Sequence, residues 1–345
     1  MIVINGRFLT QRVTGVQRFA YEICRALRRI GVSYVILAPS NIAPEYAIED
    51  LPVEKIGGKG SHFWEQVTLP WYVHRHYRGL PLLNLSGLGP IGYNYTIMTI
   101  HDISYLLRPR AYSWPYTLYY RIMTPWAAKR AKRILTVSQF SKHEIMRCYN
   151  IADNKITVVY NAARTTALAP RKETRPYLLV VGSLMPRKNI RRLIEAYSTM
   201  PDADFDLRIA GVTDASFADA GLEAFAHTKG IQWLGYMQPD ELDTLYRNAT
   251  AYINPSLYEG FGIPLLEAMA QECPVLASDI PVFHEVCDAA ACYFNPMKTE
   301  EIQSVMYTIT QDETLRQQLI QAGRQRCRLF SWDASARTIR QLLDA

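Results

Sequence analysis

The stretch Asn254-Pro-Ser-Leu-Tyr-Glu-Gly-Phe-Gly-Ile-Pro-Leu-Leu-Glu267 decides how this chain is read. A β-rich run, Ala251–Asn254, leads into it. Pro255 breaks that run, two glycines follow, and Pro264 opens an apolar helical run to Ala270, at the first helical position that proline favours. The pattern predicts strand, tight loop, helix. Gly260 and Gly262 permit backbone conformations and a close approach that a Cβ would block. The N–H groups of the first helical turn, around Leu265 and Leu266, make a site for an anion. Glu267 lies one turn into the helix, placed to accept from two neighbouring hydroxyls of a ribose. Glu259 lies on the loop before the glycines, placed to meet a sugar. Two glutamates alone would mark no more than a capped helix turn. The glycines and proline around them point to a ligand.

The same arrangement recurs upstream in Val180-Val-Gly-Ser-Leu-Met-Pro-Arg187-Lys188-Asn189. A strand, Tyr177–Val181, ends at Gly182, and a helix, Ile190–Tyr197, follows Asn189 as its cap. Arg187 and Lys188 arrive together. By themselves they would be a solvated basic loop. In register with the glutamate stretch they suit a leaving group that gains negative charge, neutralised by two fixed cations and a helix N-terminus without a metal. In the first half, strand Ile2–Ile4 runs into Asn5–Arg18, where Gly15 precedes a helix beginning near Val16. This loop is read as closing over phosphates from the opposite domain. Strand Tyr95–Ile100 delivers His101 and Asp102 to its carboxyl end, where His101 either touches a ligand or braces the fold.

Tyr34–Leu37, Ile134–Val137, Leu207–Ala210, Ile231–Trp233, Pro274–Ala277 and Cys292–Phe294 read as further strands. Asp240–Arg247 and a segment from about Ser141 read as helices. Such alternation predicts parallel sheets covered by helices. A chain of 345 residues exceeds what one core supports. The basic, proline-flanked Arg171–Pro176 is the expected linker, with a ligand cleft between the carboxyl ends of two sheets.

The net charge is +6, unevenly spread: residues 1–165 hold 21 Lys and Arg against 9 Asp and Glu, and residues 166–345 hold 17 against 23. The first half is therefore expected to meet something anionic. Residues 103–143 contain no Asp or Glu but carry Arg108, Arg110, Arg121, Lys129, Arg130, Lys132, Arg133 and Lys142, among Tyr105, Tyr112, Trp114, Tyr116, Tyr119, Tyr120 and Trp126. Cations with polar-tipped aromatics suit a headgroup layer. The plainer alternative is a helix pair with a solvated basic face and buried aromatics. The six cysteines form no C-x-x-C pair and read as reduced thiols. No apolar run reaches the ~18 residues of a membrane span. The opening MIVINGRFL reads as a first strand, so a cytoplasmic address is expected.

On these motifs the chain resembles retaining glycosyltransferases of the GT-B fold, in the family-four group that includes bacterial lipopolysaccharide and capsule mannosyl- and glucosyltransferases. The likeness spans nearly the whole chain. It rests on the loop at Gly15, the His101-Asp102 pair, Val137-Ser-Gln-Phe-Ser-Lys142, Gly182-Ser-Leu-Met-Pro-Arg-Lys-Asn189, the Glu259 and Glu267 pair, and Phe330-Ser-Trp-Asp333. One departure is that the first loop carries a single glycine where many members carry two. The resemblance implies an α/β chain of two Rossmann-like domains. Residues 1–170 would bind the acceptor and 171–330 the nucleotide sugar, with a helix in 331–345 returning to the first domain. It implies a donor site of Gly15, Gly182, Arg187, Lys188, Gly235, Tyr236, Glu259, Gly260, Phe261, Gly262, Leu265, Leu266 and Glu267. His101, Glu259, Arg187 and Lys188 would be catalytic. Arg187 and Lys188 would hold the diphosphate and Glu267 the ribose. Glu259 and the N–H groups of Gly260, Phe261 and Gly262 would hold the sugar. His101 would line the sugar near the anomeric centre, and Gly235 and Tyr236 would lie beside the base.

The implied reaction is hexosyl transfer with retention, by front-face attack, from a nucleotide diphosphate sugar to a glycan. GDP-mannose is the first expectation for the donor and a lipid-linked glycan of surface polysaccharide, such as O-antigen, for the acceptor. The expected address is peripheral, on an anionic inner membrane face, with no cofactor, no metal and no nucleic acid. The alternatives are a UDP- or dTDP-sugar transferase acting on a soluble acceptor, or a GT-B-fold epimerase, for which no further acid/base carboxylates are apparent. A phosphorylase would need a cofactor lysine. A dehydrogenase would need G-x-G-x-x-G after the first strand, which Ile2–Arg18 lacks.

Overall fold

The computed structural model describes residues 1–107, 112–164, 166–170, 175–200, 203–211, 222, 225, 227–344. The chain divides into two compact units, one of residues 1–103, 118–161 and 331–345, the other of 104–117 and 162–330.

The first unit carries a seven-stranded sheet. Its strands are β1 (Ile2–Asn5), β2 (Tyr34–Ala38), β3 (Val53–Lys55), β4 (Leu82–Asn84), β5 (Thr96–Thr99), β6 (Arg133–Thr136) and β7 (Ile156–Val158). They lie in the order β3-β2-β1-β4-β5-β6-β7, every pair parallel. Its helices are α1 (Gly15–Arg29), α2 (Leu69–His76) and α5 (Gln139–Tyr149), with most of α4 (Trp114–Arg130); α3 (Ser104–Leu107) and the first turn of α4 belong to the second unit. β1 and β5 are buried along their whole length, so neither alternates between a core face and a solvent face. α1 buries Phe19, Ala20, Ile23, Cys24, Ala26 and Leu27, one stripe at the helical period. Val3, Leu37, Trp64, Leu69, Val73 and Leu82 form a core under the sheet.

The second unit repeats the scheme with β8 (Tyr177–Val181), β9 (Asp206–Ala210), β10 (Ile231–Gly235), β11 (Ala251–Asn254), β12 (Val275–Ser278) and β13 (Cys292–Phe294). Their order is β10-β9-β8-β11-β12-β13, all parallel. Its helices are α6 (Ile190–Ser198), α7 (Pro239–Asn248), α8 (Ile263–Ala270), α9 (Pro281–Cys287), α10 (Thr299–Gln311) and α11 (Glu313–Cys327). Leu178, Val180, Leu193, Ile194, Leu207 and Ile253 centre its core. The last helix, α12 (Trp332–Asp344), packs in the first unit on α1. There the Trp332 ring lies 6.1 Å from that of Phe19, edge to face, and Asp333 accepts from Arg29 Nε at 2.9 Å.

Three local readings change. α1 begins at Gly15 itself. α8 begins at Ile263, with Pro264 second, because Gly262 makes the turn with a left-handed φ of 103°. Asn189 does not cap α6 with its side chain. It donates to the Pro296 carbonyl at 2.7 Å and accepts from Arg192 at 3.1 Å instead. Of the expected linker Arg171–Pro176, residues 171–174 lie outside the described ones. All six cysteines are free thiols.

Candidate active site

In the second sheet the strand order reverses between β8 and β11, and doubly wound sheets bind ligands outside the carboxyl ends of their strands at such a reversal. Gly182 follows β8, Gly211 follows β9 and Gly235 ends β10. A Cβ on Gly211 would stand 1.7 Å from the Gly182 carbonyl oxygen, so only glycine lets these strand ends meet. The Gly211 N–H donates to Gly235 O at 2.7 Å. The result is an edge of bare backbone. Gly182, Ser183, Lys188, Tyr252, Asn254 and Ser256 line the crevice beside it.

A single 3-10 turn, Pro186–Lys188, brings Arg187 and Lys188 to this edge. The N–H of Leu257 donates to Arg187 O at 2.8 Å, joining the two loops. Both cations reach Glu259. Arg187 NH1 lies 2.9 Å from Oε2 and also donates to the Tyr258 carbonyl at 3.1 Å, while Lys188 Nζ pairs with Oε1. The Ser256 hydroxyl stands 2.8 Å from Glu259 Oε1 and 2.6 Å from Asn254 Oδ1. Glu259 is buried. Burial alone would raise its pKa, but Lys188 and Arg187, with hydrogen bonds from Lys188 and Ser256, hold it at about 2. Removing a carboxylate from water costs several kcal/mol, so two cations and a hydroxyl are what make this position tenable. The three charges sum to one net positive charge facing the glycine edge.

Glu267 is buried in α8 and accepts from the Tyr246 hydroxyl at 3.2 Å. The Leu265 N–H is committed to the Gly262 carbonyl at 3.0 Å, so the anion site read from Leu265 and Leu266 has one amide already engaged. Gly260 and Phe261 complete the loop between Glu259 and α8, with Phe261 buried edge-on against Phe330. Tyr236, after Gly235, is exposed. The structure thus brings Gly182, Arg187, Lys188 and Glu259 together, while Glu267 sits one helical turn inside α8.

His101 and Gly15 belong to the first unit. His101 Nε2 lies 2.9 Å from the Leu85 carbonyl, an atom that can only accept, so Nε2 carries the hydrogen and Nδ1 is left as an acceptor. Its ring stands edge-on to Phe19 at 5.0 Å. Burial holds it below the usual imidazole range, against smaller opposing effects from the Leu85 carbonyl and Asp102, so the ring is neutral near pH 7. Gly15 is exposed at the start of α1.

Sequence reasoning passed over Gly211, Ser256 and Tyr246. The signal for Gly211 was available: three neighbouring strands each end in glycine. The others depend on which helix and loop pack together. An Asp-x-Asp spacing, a common metal signature, does occur at Asp202–Asp204 and Asp204–Asp206. Asp202 lies outside the described residues. Asp206 opens β9 at the amino end, away from the glycine edge, and accepts from Gln232 at 3.0 Å.

Comparison with known proteins agrees with this architecture. Residues 13–166 match the family described as Glycosyltransferase Family 4, and residues 166–326 the one described as Glycosyl transferases group 1. The chain is 32% identical over 328 residues to the O-antigen chain mannosyltransferase RfbU of Salmonella typhimurium, covering 90% of this chain and 91% of that one. It is 31% identical over 257 residues to O-antigen chain mannosyltransferase B of Escherichia coli, covering 69% and 67%. Among solved structures, WaaG, a glycosyltransferase involved in lipopolysaccharide biosynthesis, superposes with a TM-score of 0.77 over 99% of both chains at 17% identity, a likeness of fold. With two doubly wound units and matches that run from Val13 to Arg326, the chain belongs to the group 1, family-four glycosyltransferases of the GT-B fold.

Proposed function

We propose that this glycosyltransferase moves mannose from GDP-mannose, with retention and without a metal, onto a lipid-linked glycan in bacterial surface polysaccharide assembly. The observation that carries the reading is Glu259 held between Arg187 and Lys188 beside the Gly182 edge. Arg187 and Lys188 face the donor diphosphate, where the net positive charge of the cluster stabilises the negative charge that grows as the glycosidic bond breaks. Glu259, kept ionised, accepts from sugar hydroxyls. A carboxylate with a pKa of about 2 that is already tied to two cations is a weak nucleophile, which favours front-face attack. On that route the leaving phosphate oxygen takes the acceptor proton. Glu267, oriented by Tyr246, takes the ribose. His101 offers Nδ1 to the donor sugar. The mannosyl reading is supported by the relatives' names. The exposed apolar stripe and neighbouring cations of α4 support a membrane-borne acceptor.

A ligand that binds only the native state raises the melting temperature by mass action. The test is thermal unfolding of the purified protein with GDP, UDP or dTDP, each with and without excess EDTA. GDP should raise Tm most, by the same amount in EDTA. A larger shift with UDP or dTDP would reassign the donor, loss of the shift in EDTA would overturn metal independence, and no shift with any nucleotide would overturn the reading.

A further inference from the structure

In the first sheet the strand order reverses between β1 and β4, the position that corresponds to the β8/β11 reversal of the second sheet. Asn5 closes β1 and Asn84 closes β4, so two amides stand side by side where a doubly wound sheet receives a ligand. Asn5 Nδ2 lies 2.8 Å from Glu65 Oε1 and 2.9 Å from Asn84 Oδ1, and Glu65 Oε2 accepts from Arg7 NH1 at 2.7 Å. From this geometry we infer that Arg7, held by Glu65 and bordered by His62 and Tyr119, forms a subsite for the hydroxyls of the acceptor's terminal sugar. The inference rests on the glycosyltransferase reading above.

Glu65 is 1% exposed and sits in a five-residue π turn, Trp64–Thr68. Single π turns are uncommon and recur at functional sites. Here the turn sends three consecutive side chains to three places. Trp64 donates from Nε1 to the Ile56 carbonyl at 2.9 Å inside the core, Glu65 goes to the strand reversal, and Gln66 donates to Gly89 O at 2.7 Å. The Asn5 side chain also accepts from the Arg7 N–H at 3.1 Å, so the guanidinium is fixed from both ends. A brace for the fold would not need charge, since apolar groups of similar volume commonly stabilise as well as a buried ion pair. A preorganised donor at a ligand edge does need it.

The charge balance selects the ligand class. Arg7 and Glu65 cancel, which disfavours a phosphate and suits an array of neutral hydroxyls. The Arg7 side chain is 15% exposed, and its Nε is buried with no acceptor among the described residues. The rim is aromatic: the rings of His62 and Tyr119 lie 5.3 Å apart and tilted by 59°, surfaces that suit the C–H face of a pyranose. Both rings sense the ion pair. Burial and Arg7 lower the His62 pKa, and burial and Glu65 raise that of Tyr119.

Saturation-transfer NMR with methyl glycosides of mannose, glucose, galactose, rhamnose and N-acetylglucosamine tests the subsite on the full chain. Arg7→Lys keeps the charge that pairs with Glu65 but loses the planar fork, while His62→Ala and Tyr119→Ala remove the rim without touching the buried network. At least one glycoside should bind the wild type, and each variant should weaken it about tenfold or more. Failure of every glycoside to bind the wild type, undiminished binding in Arg7→Lys, or undiminished binding in the two rim variants, would overturn the subsite. The nucleotide-induced Tm shift is read on the same samples. It should stay at the wild-type value, and its absence from the wild type itself would indict the donor reading instead.

Discussion

Glu259 has two opposing influences on its carboxyl group, and the cations win. Burial would raise its pKa, yet Lys188 and Arg187 hold it at about 2 against an ordinary value of 4.5. A depressed folded pKa contributes stability that is fully present above pH 4.5 and is lost as pH falls toward 2. Thermal unfolding should therefore show Tm falling below about pH 4.5, and Glu259→Gln should flatten that acid limb while lowering the plateau; parallel acid limbs in the two proteins would remove Glu259 from the account. The cations themselves are tested by rate. Arg187→Ala or Lys188→Ala should each lower turnover by about 10²–10³-fold through lost charge stabilisation. The remaining cation still pairs with Glu259, so the circular dichroism spectrum should be unchanged. Near-normal turnover in the double variant would show that the diphosphate is neutralised elsewhere.

At the scale of elements, α4 is the helix with an unusual surface. Trp114 is 74% exposed, and Leu118, Ile122 and Trp126 follow at every fourth position, all exposed, so they form one stripe along it. Arg121, Lys129 and Arg130 are exposed on the same helix. Other members of the basic stretch are occupied: Lys132 lies 4.0 Å over the Tyr95 ring, and Lys142 pairs with Asp153 at 2.9 Å. Arg108 and Arg110 lie outside the described residues. Tyr105 is buried and Tyr112 stacks on Tyr116, as the plainer reading of the stretch expects, but the two tryptophans are not buried. No helix among the described residues is long and apolar enough to cross a membrane. We propose that this helix attaches to a membrane surface, with about 1 kcal/mol from each cation near an anionic leaflet. Vesicles of phosphatidylcholine and phosphatidylglycerol should carry the protein to the top of a flotation gradient at low salt. Neutralising Arg121, Lys129 and Arg130 together should reduce that by about 100-fold in partition, with the nucleotide-induced Tm shift intact. Absence of wild-type flotation would favour a soluble acceptor.

Across the whole molecule, what could be read in advance was short in range. The strands Tyr177–Val181 and Ala251–Asn254 run between the residues that the apolar pattern marks, because a strand buried on both faces announces itself by composition. Val53–Lys55, Leu82–Asn84 and Ile156–Val158 escaped notice because three residues are too few for any period, and the first is an edge strand with polar residues. The loop-to-helix turn at Gly262 was legible from glycine and proline chemistry. The Glu65 network was not, since no motif links a residue of the first strand with one 60 positions away. The sequence by itself determined two parallel α/β units and the strand–loop–helix turn around Glu259 and Gly262, because turn chemistry and hydrophobic periodicity act between near neighbours. Only the tertiary structure decided that Glu259 pairs with Lys188 and Arg187, at separations of 71 and 72 residues. That pairing follows from a strand order in which β11 skips β9 and β10 to lie beside β8, an order set by the packing of the whole sheet and by no local spacing.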